Sequence, residues 1–185
     1  MDRSPAALDP SGPARPRILI VEPDRRYVGV LGRRLCEAGF RITSATSSAS
    51  ALAELYRSPV DLVVAELYMP GNGGADLVRA IRSEAAWRDI PVMLITGRSE
   101  PNGAVRAYEA GADDVILKPF HFEVLFARIE RRLERLRLLK TLRDDNAALD
   151  ARVVARAIEL GELRERLTRV EGEHRRLQLI AWAPR

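Results

Sequence analysis

Glu22, Glu66, Thr96 and Lys118 each stand directly after, or at the end of, a short apolar, largely β-branched run, and these are the side chains of this sequence that are placed to act together. The runs are Ile18-Leu19-Ile20-Val21, Leu62-Val63-Val64-Ala65, Val92-Met93-Leu94-Ile95 and Asp114-Val115-Ile116-Leu117. They deliver carboxylates (Glu22, Glu66, with Asp24 close behind), a hydroxyl and an ammonium. Lys118 carries a compositional signal of its own, because only it and Lys140 are lysines among 30 basic residues. A compact ammonium suits a tight anionic pocket better than the planar fork of arginine. Other chemistries are excluded by count: one cysteine cannot make an internal disulfide, and one thiol with two scattered histidines lacks zinc-ligand spacing. Cys36, beside Leu35 in a helical stretch, is expected to be a packing residue.

The elements that must position these groups are legible as an alternation. A fifth run, Phe40-Arg41-Ile42-Thr43, joins the four above, and Tyr27–Ala38, Ala49–Arg57, Ala75–Ser83 and Gly103–Ala110 have helical apolar spacing, with Gly39 and Gly111 where C-terminal caps belong. Strands that alternate with helices predict an α/β fold, a doubly wound five-stranded parallel sheet covered on both faces. Ligands of such sheets collect at the carboxyl ends of the strands, where the four residues lie. Residues 1–16, with Pro5, Pro10, Pro13 and Pro16 among Ser and Gly, read as a disordered arm. No apolar run reaches the roughly 18 residues of a membrane span, and Asp2 and Pro5 do not fit a signal peptide, so the expected location is cytoplasmic.

From Phe122 onward there is no strand signal, which leaves one long helix or two. Phe122, Leu125, Ile129, Leu136 and Leu139 form a stripe expected to pack on the sheet. With Asn146 as a, the a and d sites of a heptad are Asn146, Leu149, Val153, Arg156, Leu160, Leu163, Leu167, Val170, His174, Leu177 and Ala181, and eight of the eleven are apolar. This predicts a coiled-coil tail over 138–185 and a homodimer. In a parallel pair Glu159 would face Arg164 and Arg166 would face Glu171, with Asp145 against Asp150 as the repulsive pair. All of the net charge of +4 comes from residues 121–185, with 15 bases against 11 acids. The alternating signs there argue for a solvated helix face and against nucleic acid.

Four motifs stand in order along the chain: Ile18-Leu19-Ile20-Val21-Glu22, Leu67-Tyr68-Met69-Pro70-Gly71-Asn72-Gly73-Gly74, Ile95-Thr96-Gly97, and Gly111-Ala112-Asp113-Asp114 running into Leu117-Lys118-Pro119-Phe120. On these motifs residues 17–137 resemble the receiver domain of bacterial two-component response regulators, and the resemblance carries its own expectations. It implies a phosphoacceptor position at Glu66, where the family has aspartate, and phosphate-pocket roles for Thr96 and Lys118. It also implies Mg²⁺ ligation by an acidic pair, which here reads Glu22-Pro23. With Pro23 in place of a carboxylate and Glu66 longer by one methylene, Glu22 and Glu66 are expected to bind Mg²⁺ weakly or not at all, and no cofactor is required. A displaced nucleophile loses the positioning on which phosphoryl transfer depends. The aromatic residue usual three positions before the lysine is Val115 here, so the common relay to an output face is expected to be absent. His121 and His174 read as structural.

The expected function is therefore that of a phosphorylation-independent pseudo-receiver, a signalling adaptor or scaffold rather than an enzyme, whose partners are a second copy and other signalling proteins, not a membrane. The alternatives are a working phospho-accepting regulator and the regulatory front half of a receiver-linked cyclic-dinucleotide enzyme.

Overall fold

In the computed structural model, residues 15–97 and 102–181 are described, the side chains as far as Arg175. The proline-rich arm over residues 1–16 falls almost wholly outside the described residues, as do the side chains of Leu177 and Ala181. Contacts divide the chain after Leu136 into two units.

The first unit alternates strand and helix: β1 (Arg17–Val21), α1 (Arg25–Glu37), β2 (Arg41–Ala45), α2 (Ser48–Arg57), β3 (Leu62–Glu66), α3 (Gly74–Ser83), β4 (Val92–Gly97), α4 (Gly103–Glu109), β5 (Asp114–Lys118) and the start of α5 (Phe122–Ala181). All neighbouring strands are parallel, in the order β2-β1-β3-β4-β5, so the chain turns from one side of β1 to the other after β2. The period-2 geometry of a strand sends alternate residues to opposite faces. Leu19, Val21, Val63, Ala65 and Leu94 bury one face with Leu55, Leu77, Val78 and Ile81 of α2 and α3. Ile18, Ile20, Leu62, Val64 and Met93 bury the other with Leu31 and Leu35 of α1 and Leu125, Ile129 and Leu133 of α5. Burial on both faces is why the runs read as continuously apolar.

Local chemistry sets the helix ends. Asp24 caps α1 by accepting from the Arg26 N–H at 2.8 Å, and Ser47 and Ser50 form a reciprocal cap on α2. Gly39 and Gly111 end α1 and α4, both at φ +95°, the left-handed conformation that glycine adopts at least cost. Two expectations need correction. Cys36 is exposed, because it falls on the solvent side of α1 while Leu35 takes the core position. The buried stripe of α5 closes at Leu133, a residue outside the stripe expected from the apolar spacing. Leu136 is half-buried and Leu139 exposed: a seven-residue step from Ile129 keeps Leu136 on the same helix face, so its burial is limited by where the helix leaves the sheet, whereas the ten-residue step to Leu139 falls about 80° off that face.

In the second unit α5 continues without a break to Ala181, through Gly161 and Gly172. Asn146 and the described apolar a and d residues Leu149, Val153, Leu160, Leu163, Leu167 and Val170 are exposed. Leu139 and Leu142, also exposed, continue the same register upstream, at a and d. Among the described residues no helix is long and apolar enough to cross a membrane.

Candidate functional site

The parallel register brings the ends of β1, β3, β4 and β5 side by side: Val21 is level with Ala65, Glu66 with Ile95, and Thr96 with Leu117. Three of the four residues singled out above touch. Lys118 Nζ donates to Glu66 Oε2 at 2.5 Å and lies 3.5 Å from Glu22 Oε2. The glutamate side chains are 11% and 10% exposed and that of the lysine 33%, so the carboxylates lie under the surface and the ammonium partly covers them. The second oxygen of each carboxylate is engaged locally by the N–H two residues on. Glu22 Oε1 accepts from Asp24 at 3.1 Å and Glu66 Oε1 makes a long contact of 3.5 Å with Tyr68.

Tyr27, in the first turn of α1, sets its ring over the ammonium, with Nζ 4.2 Å from the centroid. Burial acts to lower the Lys118 pKa, but the hydrogen bond and charge of Glu66, with Glu22 and Tyr27 adding, outweigh it and hold it above the ordinary lysine value. Burial raises the Tyr27 pKa, with Lys118 opposing and the two glutamates adding. Nothing in the sequence pattern marked Tyr27 beyond its place at the start of a helix; the available signal was that a first-turn aromatic five residues after Glu22 lies close to the strand end.

Thr96 shares the edge but not the cluster. It is fully buried, and its Oγ1 has no hydrogen-bond partner among the described residues. Val115 is buried in the core against α4. Glu66 itself is fixed from behind by glycine. A Cβ on Gly74 would stand 2.4 Å from the Glu66 carbonyl oxygen and 3.0 Å from Leu67 Cα, so only glycine lets the start of α3 close on the end of β3. The Gly74 N–H donates to the Leu67 carbonyl at 2.9 Å.

A five-stranded parallel sheet with this strand order, helices on both faces and its acidic and basic groups gathered at the carboxyl edge defines a flavodoxin-like α/β domain. The chain belongs to the response regulator receiver domain family, whose model matches residues 18–130. It is 32% identical over 119 residues to the regulatory protein VanRB of Enterococcus faecalis, covering 64% of this chain and 53% of that one. It is 35% identical over 125 residues to the transcriptional regulatory protein PrrA of Mycobacterium leprae, covering 68% and 53%. A crystal structure of a response regulator from Chloroflexus aurantiacus superposes with a TM-score of 0.63 at 27% identity, over 65% of this chain and 98% of that one. The chain thus spans about half the length of these curated relatives.

The residues present do not fit the Mg²⁺ that the family implies. Pro23 offers no oxygen from its side chain, and the Asp24 carboxylate is committed to capping α1. Both remaining carboxylates point an oxygen at the Lys118 ammonium. Among the described residues no group of three or more His, Cys, Asp or Glu side chains converges on a metal position.

Proposed function

We propose that this chain is a pseudo-receiver, a two-component-type signalling adaptor that works through protein contacts without accepting a phosphoryl group. The observation that carries this is the Glu66–Lys118 pair at 2.5 Å, with Glu22 closing the other side. A carboxylate already neutralised and hydrogen-bonded is a poor nucleophile, and without the second acidic ligand at Pro23 the charge neutralisation and alignment of phosphoryl transfer are missing. No residue is assigned a catalytic role. Glu66 instead holds a permanent anion against Lys118. Val115, in place of an aromatic residue, removes the usual coupling to Thr96. The exposed heptad seam from Asn146 to Val170, a pattern that the sequence alone continues to Leu177, supports a homodimer through the tail. Other signalling proteins are the further partners, and nucleic acid has no assigned surface.

The test is incubation with acetyl phosphate or a histidine kinase in the presence of Mg²⁺, followed by intact mass. An unmodified mass is expected, and stoichiometric labelling refutes the proposal. The buried, unpartnered Thr96 hydroxyl favours a second reading, a regulator that still takes phosphate on an unusual residue. Saturable binding of beryllium fluoride at the site, detected by fluorine NMR, would support that reading instead.

A further inference from the structure

We infer that Lys118 is the resident cation of this acidic site and Tyr27 its cover, so that the two carboxylates share one counter-charge without a divalent ion and, with the carboxylates as they stand, the site is open to one only when the lysine charge is removed. This rests on the pseudo-receiver reading and gives its site a specific ligand preference. Two carboxylates about nine-tenths buried repel each other and lose hydration, a cost that a positive charge set between them offsets. The ammonium supplies that charge from between them, reaching Glu66 Oε2 at 2.5 Å and Glu22 Oε2 at 3.5 Å. Its remaining side faces the π surface of Tyr27 at 4.2 Å, a third source of negative potential.

The arrangement is prepared from both strands alike. Glu22 and Glu66 each turn one oxygen toward the N–H two residues on, and this leaves Oε2 of each aimed at the lysine. A divalent ion would have to displace the ammonium and the ring above it, and it would find no third carboxylate, because that of Asp24 is held by the Arg26 N–H. The raised pKa of Lys118 agrees with a charge held by its surroundings. Without the lysine charge, two glutamates and water are the kind of open oxygen site that binds Mg²⁺ weakly.

The experiment compares melting of the full chain in EDTA and in about 10 mM MgCl₂, for the wild type, Lys118→Met, Lys118→Gln and Lys118→Met with Glu66→Gln. The wild type is expected to shift by less than about 1 °C. The two single variants are expected to rise by about 3–6 °C, the effect of ligand at roughly ten times its Kd on a domain of this size. The double variant is expected to lose that rise. Folded Lys118 variants that ignore Mg²⁺ overturn the inference. If neither variant folds, the wild type decides: Mg²⁺ stabilisation that Glu66→Gln removes overturns it, and no stabilisation upholds it. Terbium luminescence excited through tyrosine gives a second readout of Tyr27 as the cover, expected in Lys118→Gln and lost when Tyr27→Leu is added; no emission from a folded Lys118→Gln overturns the assignment of Tyr27. A wild type that takes up phosphoryl refutes the pseudo-receiver reading, whereas one that stays unlabelled yet is stabilised by Mg²⁺ refutes only the resident-cation inference.

Discussion

Replacing Lys118 by methionine keeps the aliphatic stem and removes the charge, so its cost measures the ion cluster alone. At an effective dielectric constant of about 20, contacts of 2.5 and 3.5 Å correspond to about 7 and 5 kcal/mol of attraction. Most of this is offset by desolvation of the three groups, and a third of the lysine side chain still faces water. What remains is the penalty for two carboxylates left together without a counter-charge, about 1–3 kcal/mol. That corresponds to a fall in Tm of roughly 2–12 °C for a domain of this size. Glu66→Gln is milder, under about 1 kcal/mol, because the lysine keeps Glu22 and its access to solvent. Thermal and urea melts of both variants and of the double variant give the coupling energy directly. Equal, negligible shifts, or a larger cost for Glu66→Gln, would refute the reasoning.

The same pair sets an alkaline limit. Lys118 has its pKa raised in the folded state, so its contribution is fully present below the ordinary lysine value of about 10.4 and is lost as pH rises through the higher folded value. The stability gap between wild type and Lys118→Met should therefore hold constant from pH 7 to about pH 10 and narrow only above it. A gap already closed at pH 9 would contradict a raised pKa.

Three further outcomes are expected. Pro23→Asp with Glu66→Asp rebuilds the acidic pair and shortens the acceptor, and it should gain Mg²⁺-dependent labelling by acetyl phosphate, detectable by intact mass, that neither single change gives. Gly74→Ala forces the α3 start away from the Glu66 carbonyl and should cost about 1–3 kcal/mol in denaturant melts, whereas Gly161→Ala, open on all sides, should cost nothing. If the proposed tail dimer forms, the wild type should give a dimer mass by light scattering at micromolar concentration and Leu163→Glu in the exposed seam a monomer mass, with near-UV dichroism of the sheet domain unchanged.

The fold was legible because its signals are periodic and redundant. Five buried runs, the helical spacing between them and the caps at Gly39 and Gly111 all point to one parallel sheet, and strand ends moved by only one or two residues. The site was legible as a set of positions, since parallel strands must deliver Glu22, Glu66 and Lys118 to one edge. The contacts were less so. Tyr27 reaches Lys118 across α1 and β5, far apart in sequence, and no local pattern encodes the rotation that lays a ring over an ammonium. The stripe of α5 misled for a related reason: Leu136 and Leu139 are as apolar as Leu133, and which of them meets the sheet depends on where the helix leaves it.

Asp24 shows how a single local bond can decide the chemistry of this edge. By composition it is a third carboxylate beside Glu22, one residue beyond the position that Pro23 occupies. A shift of the chain by one residue would make it a ligand. Its side chain instead satisfies the Arg26 N–H, an otherwise unpaired donor of the first turn of α1, and its own N–H is taken by Glu22 Oε1. Turning Asp24 inward would expose a helix end, break the brace on Glu22 and add a third negative charge beside two that already share a single lysine. Pro23, which cannot donate a hydrogen bond, leaves that brace to the next residue along. The loss of the acidic pair and the capture of Glu22 by Lys118 are thus two sides of one local arrangement. Restoring only Pro23→Asp should leave the lysine pair in place, which is why the shorter acceptor must be restored with it.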